Sequence, residues 1–137
     1  MKAIFFIIAG LYSMSLNSQS LSDSLCSQYR PDIVKAFIVE AKDSTINASI
    51  LKRGINIYLS DTTYKIVGFC IGYDFFAKDS TVLYSLCSDK NYIEPNEANY
   101  YLRNIENSQL LIVEDIRVKK GNVCFKAKSI IYNVIKE

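Results

Sequence analysis

The stretch YKIVGFCIGYDFF, residues 64–76, decides the fold, and TVLYSLC at residues 81–87 answers it. In the first run the odd positions Val67, Phe69, Ile71, Tyr73 and Phe75 are large and apolar, whereas the even ones include Gly68, Cys70, Gly72 and Asp74. Side chains of a strand point alternately to its two faces, so the odd face is the core face. In the second run Val82, Tyr84 and Leu86 are the large residues. A turn centred between Lys78 and Asp79 sets Phe75 opposite Val82, Tyr73 opposite Tyr84 and Ile71 opposite Leu86, so both core faces agree. A one-residue slip would turn one of them to solvent.

The same register sets Cys70 opposite Cys87 on the other face. Counting alternately from a two-residue loop makes this a non-hydrogen-bonded pair, where side chains approach most closely. The reading is a disulfide in an oxidising compartment, with two half-buried thiols as its alternative. Cys26 and Cys124 are the remaining candidate pair, which would tie a polar leader to the last strand. Successive cysteines stand 44, 17 and 37 residues apart, with no C-x-x-C, so the spacing speaks against a zinc or redox motif.

Working outward, further runs rich in Ile, Val, Tyr and Phe lie at residues 33–41 (IVKAFIVEA), 46–51, 54–59, 110–118 and 123–135. The breaks at 42–44, 60–63, 78–80 and 119–122 carry turn residues. About seven antiparallel strands at this density describe an all-β sandwich. One segment departs from it: Pro95 opens a stretch to Ile105 with Ala98, Tyr101, Leu102 and Ile105 at helical spacing, a short helix or 3₁₀ turn. A four-residue turn at 119–122 sets Val118 opposite Val123, Ile116 opposite Phe125 and Asp115 opposite Lys126. After Ser129 two adjacent apolar residues, Ile130 and Ile131, mark a bulge or a strand buried on both faces.

The N-terminus has a different character. Met1-Lys2 precedes the apolar run AIFFIIAGLYSM at residues 3–14, and polarity returns after it. That run is shorter than the ~20 residues of a spanning helix and fits the h-region of a signal peptide. Residues 1–20 therefore read as an export signal cleaved after Ser18 or Ser20, with an uncleaved anchor as the alternative. Residues 21–31 read as a flexible leader and 32–137 as a single domain. Leu25 before Cys26 argues against lipid attachment.

The chain of 137 residues contains no histidine and no tryptophan, 16 basic and 14 acidic residues, and is 50% hydrophobic. Without an imidazole, Ser-His-Asp and Cys-His nucleophiles and His-containing zinc sites are impossible. Near-balanced charge supplies no field for nucleic acid. Glu114 and Asp115 are neighbours on a strand and face opposite ways, and Glu94 and Glu97 look like acids of a first helical turn. The reading is no enzyme and no cofactor.

The segments IEPNEANYYLRNI (93–105), LLIVEDIRVKKGNV (110–123) and SIIYNV (129–134), with LKRGIN (51–56) and IVGF (66–69) upstream, resemble the C-terminal region of the GldM family of gliding-motility proteins, components of the type IX secretion machinery. The likeness lies in a helix-like segment before an I-x-V-E-D-I strand, a polar turn, a final I-x-Y-x-V strand and an L-x-R-G-[VI]-x-N stretch. It implies an Ig-like β-sandwich in the periplasm or associated with the outer envelope. Such a domain works by contact with envelope proteins, alone or as an oligomer, and keeps no membrane span after cleavage. Family members drive a motor through membrane-spanning segments and carry several domains; this chain has one signal-like segment and one domain. The D-[ST] pairs at Asp23, Asp43, Asp61 and Asp79 resemble O-glycan attachment sites of bacteria with this machinery, and they are also good turn formers.

Two other roles fit the composition of 10 tyrosines and 7 phenylalanines: a carrier of an apolar ligand, and a displayed adhesin-like or inhibitor domain. Tyr64, Phe76, Tyr92 and Tyr100 fall outside the core pattern and are the candidate partner contacts.

Overall fold

A computed structural model describes residue 26 and residues 28–77, 80–107 and 109–136, with the side chains at 74–84 outside the description. The expected export signal, its cleavage site and the turn at 78–79 lie outside the described residues. The chain is mostly β. In order it forms β1 (Ala36–Phe37), β2 (Thr45–Asn47), α1 (Ala48–Leu51), β3 (Ile55–Asn56), β4 (Tyr58–Leu59), β5 (Lys65–Ala77), β6 (Ser80–Ser88), β7 (Tyr92–Ile93), α2 (Pro95–Tyr101), a 3₁₀ turn (Leu102–Asn104), β8 (Leu110–Lys120), β9 (Val123–Lys126) and β10 (Ile130–Ile135).

Six strands make one sheet in the order β2-β10-β8-β5-β6, with β9 also on β8, while β1–β4 and β3–β7 are separate two-stranded ribbons. The sandwich expected from the sequence, about seven antiparallel strands, is thus one large sheet and two ribbons. Its outermost pair, β2 with β10, is parallel. Phe69, Ile71 and Tyr73 of β5, Leu111, Val113, Ile116 and Val118 of β8, and Phe125, Tyr132 and Val134 are buried from this sheet. Val34, Ile38, Leu51, Ile55, Ile57, Ile93, Ala98, Leu102 and Ile105 join them in one core. Each large side chain so buried contributes roughly 1.5–3 kcal/mol.

The central hairpin has the register its alternation dictates: Phe75↔Val82, Tyr73↔Tyr84, Ile71↔Leu86 and Cys70↔Cys87. Cys70 and Cys87 are disulfide-bonded, with Cα atoms 4.0 Å apart. Cys26 and Cys124 form a second disulfide. The leader expected to be flexible to residue 31 is tied down from Cys26 onward, because Tyr29 pairs in parallel with Lys126, whose N–H donates to Gln28 O at 2.7 Å.

Three readings need correction. The strand expected at 46–51 stops at Asn47, whose side-chain oxygen accepts from Ser49 N at 2.9 Å and caps the single turn of α1. The last hairpin turns on two residues, not four: Lys120 pairs with Val123, Val118 with Phe125 and Arg117 with Lys126, with Gly121 at φ +58° in the loop. Glycine suits that tight position. The slip from the expected pairing is two residues, so every side chain keeps its expected face. Finally, the run at 123–135 is not continuous; it breaks at residues 127–129, and β9 and β10 lie end to end along β8.

The register of β5 against β8 shifts twice. Between Ile66↔Val118 and Gly68↔Arg117 the extra residue is on β5, and between Gly68↔Arg117 and Cys70↔Glu114 it is on β8. The two bulges cancel. Asp115, at φ +49°, sits at the second one, and there the buried positions of β8 change from Leu111 and Val113 to Ile116 and Val118. The expected helix is present, with Pro95 in its first turn and Ala98, Leu102 and Ile105 on the buried side.

Tyr132 of β10 ties the sheet to the segment after β1: Ile38 N donates to its hydroxyl at 3.0 Å in a buried setting. Tyr132→Phe strands that N–H, and a loss of about 1–3 kcal/mol is expected in urea unfolding. Closing loops of 98 and 17 residues stabilises by about 4.7 and about 3 kcal/mol in the chain-entropy model. Replacing Cys26 and Cys124 by serine is therefore expected to lower the unfolding midpoint more than replacing Cys70 and Cys87.

Candidate functional site

Three of the four aromatic contact candidates, Tyr64, Tyr92 and Tyr100, occupy different places. Tyr64 is half-buried and packs edge-to-face on Phe125 with ring centroids 5.7 Å apart, and Lys120 Nζ lies 4.8 Å from its ring centroid. It belongs to the rim of the core. Tyr92 is also half-buried, in β7, with Lys90 Nζ 5.3 Å from its ring centroid and 3.4 Å from its hydroxyl. That hydroxyl raises the Lys90 pKa. Tyr100 is 69% exposed on α2 under the Arg103 guanidinium, 4.2 Å from the ring centroid. The Phe76 side chain lies outside the description. Tyr64, Tyr92 and Tyr100 are thus not gathered into one site.

The acidic candidates have structural partners. Asp115 in the β8 bulge holds Lys126 Nζ at 2.7 Å and Arg117 Nε at 3.6 Å, so the Asp115–Lys126 pair expected across the hairpin forms although the register differs. A glycine at 68 lets the Arg117 guanidinium lie on β5, since a Cβ there would stand 2.8 Å from Arg117 Cζ and 2.9 Å from Ser88 O. Glu97 lies in the first turn of α2, and Glu94 is its N-cap residue without a side-chain capping bond. Among the described residues no three His, Cys, Asp or Glu side chains converge to hold a metal.

Tyr73 and Tyr101 interlock at the buried face of β5. Tyr73 Oη donates to Tyr101 O at 2.7 Å and Tyr101 Oη donates to Ile71 O at 3.1 Å. Their rings meet edge-to-face at 5.2 Å. Burial raises the Tyr101 pKa, so this hydroxyl stays protonated. Two clefts open at the surface. One of about 350 Å³ is lined by Tyr58, Leu59, Tyr64, Lys65 and Asn91. Another of about 460 Å³ is lined by Cys87, Asp89, Lys90, Tyr92, Glu94 and Arg117.

The surface that sequence reasoning missed is on the β1–β4 ribbon. In the run at 33–39, Val34 and Ile38 are buried while Ile33, Phe37 and Val39 are exposed, the last by 59%. Phe37 pairs with Tyr58 in register, and their rings stack at 6.2 Å, both in solvent. The signal was present in IVKAFIVEA, which has apolar residues at both phases of the alternation, more than a strand with one buried face needs.

The turn at residues 61–63 closes on itself: Asp61 Oδ1 accepts from Thr63 N at 2.9 Å and from Thr63 Oγ1 at 2.7 Å. The Thr63 hydroxyl, then its N–H, hold the Asp61 pKa below its ordinary 3.8. A depressed carboxylate adds stability above its unfolded pKa and loses it as pH falls through the folded one. An NMR titration is expected to place the Asp61 midpoint below 3.8, and Thr63→Val to return it toward that value.

Among the described residues no helix is long and apolar enough to cross a membrane. Compared with models of protein families, with curated proteins and with solved structures, the chain has no match.

Proposed function

We propose that the chain is an exported protein–protein interaction module of the bacterial envelope, in which the two ribbons form a reduced second layer of an Ig-like sandwich. The observation that carries this reading is the doubly apolar segment at 33–39, which buries Val34 and Ile38 and leaves Ile33, Phe37 and Val39 exposed, with the Phe37 ring stacked on that of Tyr58. Exposed aromatic and aliphatic side chains are the usual centre of a protein contact. Two disulfides support an oxidising compartment outside the cytoplasm. The resemblance to the C-terminal region of the GldM family directs the proposal to an accessory of the gliding-motality or type IX secretion complex, in the periplasm or at the outer envelope.

The test is chemical crosslinking in the native envelope followed by purification of the tagged protein. The wild type is expected to recover a defined envelope protein, and Phe37→Ser with Tyr58→Ser to lose it at unchanged thermal stability. Recovery of no envelope protein by the wild type overturns the proposal.

A further inference from the structure

The two edges of the sheet are built differently. β2 is three residues long, entered by the Lys42–Thr45 turn and closed by α1. β6 has nine residues, STVLYSLCS, with neither charge nor proline, and among the described residues it pairs with β5 alone. Natural sheets blunt exposed edges with shortness, charge, proline or a cover, because a row of unpaired N–H and C=O groups templates another strand. β2 is short and closed off by α1; among the described residues β6 shows none of these.

The register says which groups of β6 are open. Antiparallel pairs alternate between hydrogen-bonded and closer, non-hydrogen-bonded ones, at about 5.5 and about 4.5 Å between Cα atoms. The 4.0 Å at Cys70–Cys87 belongs to the second kind. Counting along the ladder, Gly72↔Ser85, Asp74↔Leu83 and Phe76↔Thr81 are of the same kind. The N–H and C=O of Thr81, Leu83, Ser85 and Cys87 therefore point away from β5, along the free edge.

Two further features fit an acceptor. The pairing of β5 with β8 ends at Tyr73↔Leu111, whereas that with β6 continues to Ala77↔Ser80. Among the described residues the hairpin thus runs past β8 as a two-stranded arm without a third strand. The Cys70–Cys87 disulfide fixes β6 at the base of this arm, so binding would order little new chain.

We infer that β6 accepts an extended, uncharged segment of the envelope partner by strand addition, the incoming backbone bonding to Thr81, Leu83 and Ser85. This deepens the contact-module reading and rests on it. The occupant is a segment and not a second folded copy on grounds of size. Nine residues span about 30 Å, and a sheet layer about 10 Å thick offers roughly 300 Å² along that edge. A partner in a stable complex of folded proteins buries about 800 Å².

The probe is a peptide of alternating threonine and valine, matched in length to β6 and carrying a lysine at each end, titrated into the full mature protein and followed by amide NMR. Shifts are expected at Thr81, Leu83 and Ser85 but not on β2. Ser85→Pro removes an outward N–H without touching the ladder to β5 and is expected to weaken binding at least ten-fold, while Ser85→Ala keeps it. Should Ser85→Pro not fold, Leu83→Pro asks the same question, with intact disulfides and wild-type thermal stability as the criterion of folding. Absence of shifts at these amides, or equal binding by the proline variants, overturns the inference. Doubling of the mass of the pure protein with protection of the same amides overturns it in favour of a second copy. In the envelope crosslinking, a partner retained by Ser85→Pro sinks strand addition and leaves the contact module standing; no partner for the wild type sinks the contact module itself.

Discussion

The fold depends on a single constraint: β5 has an antiparallel neighbour on each side, so its alternation is fixed twice. Phe69, Ile71 and Tyr73 must face the core together, and the residues between them must then suit the other face. Those residues are small for separate reasons. Gly68 leaves room for the Arg117 guanidinium. Cys70 reaches Cys87. Gly72 lies level with Ile112 of β8. Because the partners are fixed from both sides, an irregularity on one strand has to be answered on the other. The extra residue of β5 near Val67 is followed by the extra residue of β8 near Asp115, and the original register returns at Cys70↔Glu114.

This explains what was legible in the sequence and what was not. The β5–β6 hairpin could be read because a two-residue loop and two alternating faces leave one consistent register, and the disulfide came with it. The last hairpin was read with the right faces and the wrong partners, since a slip of two residues leaves alternation unchanged. Only the tight loop at Gly121 distinguishes the two pairings. The end of β2 was hidden because Ala48, Ser49, Ile50 and Leu51 suit either state, and the cap supplied by Asn47 decided it. The parallel β2–β10 pair joins residues at opposite ends of the domain, and no local pattern reports such a contact.

The candidate site was less legible than the fold. Apolar residues at both phases of 33–39 were visible, but which phase is buried is set by distant residues such as Tyr132, whose hydroxyl accepts from Ile38 N. Tyr64 and Tyr92 looked free of the core pattern and yet are half-covered, each by a lysine over its ring. Cation–π contacts of this kind are made by side chains distant or polar enough to escape a hydrophobic pattern.

The disulfides follow the same division between core and periphery. Neither lies in the hydrophobic cluster: Cys87 is exposed and Cys26, Cys70 and Cys124 are half-buried. A domain of this size buries enough apolar surface to hold its centre without staples. What burial cannot hold is the leader, anchored by backbone bonds around Tyr29 and Lys126, and the outer strand β6, which has one neighbour among the described residues. The two staples sit at these two places. They fix elements that packing alone would leave to fray, and for β6 they do so without covering its outer row of N–H and C=O groups. An edge held rigid and left open is costly to keep in a protein that works alone, because it invites aggregation; it is consistent with one whose work is done against another chain.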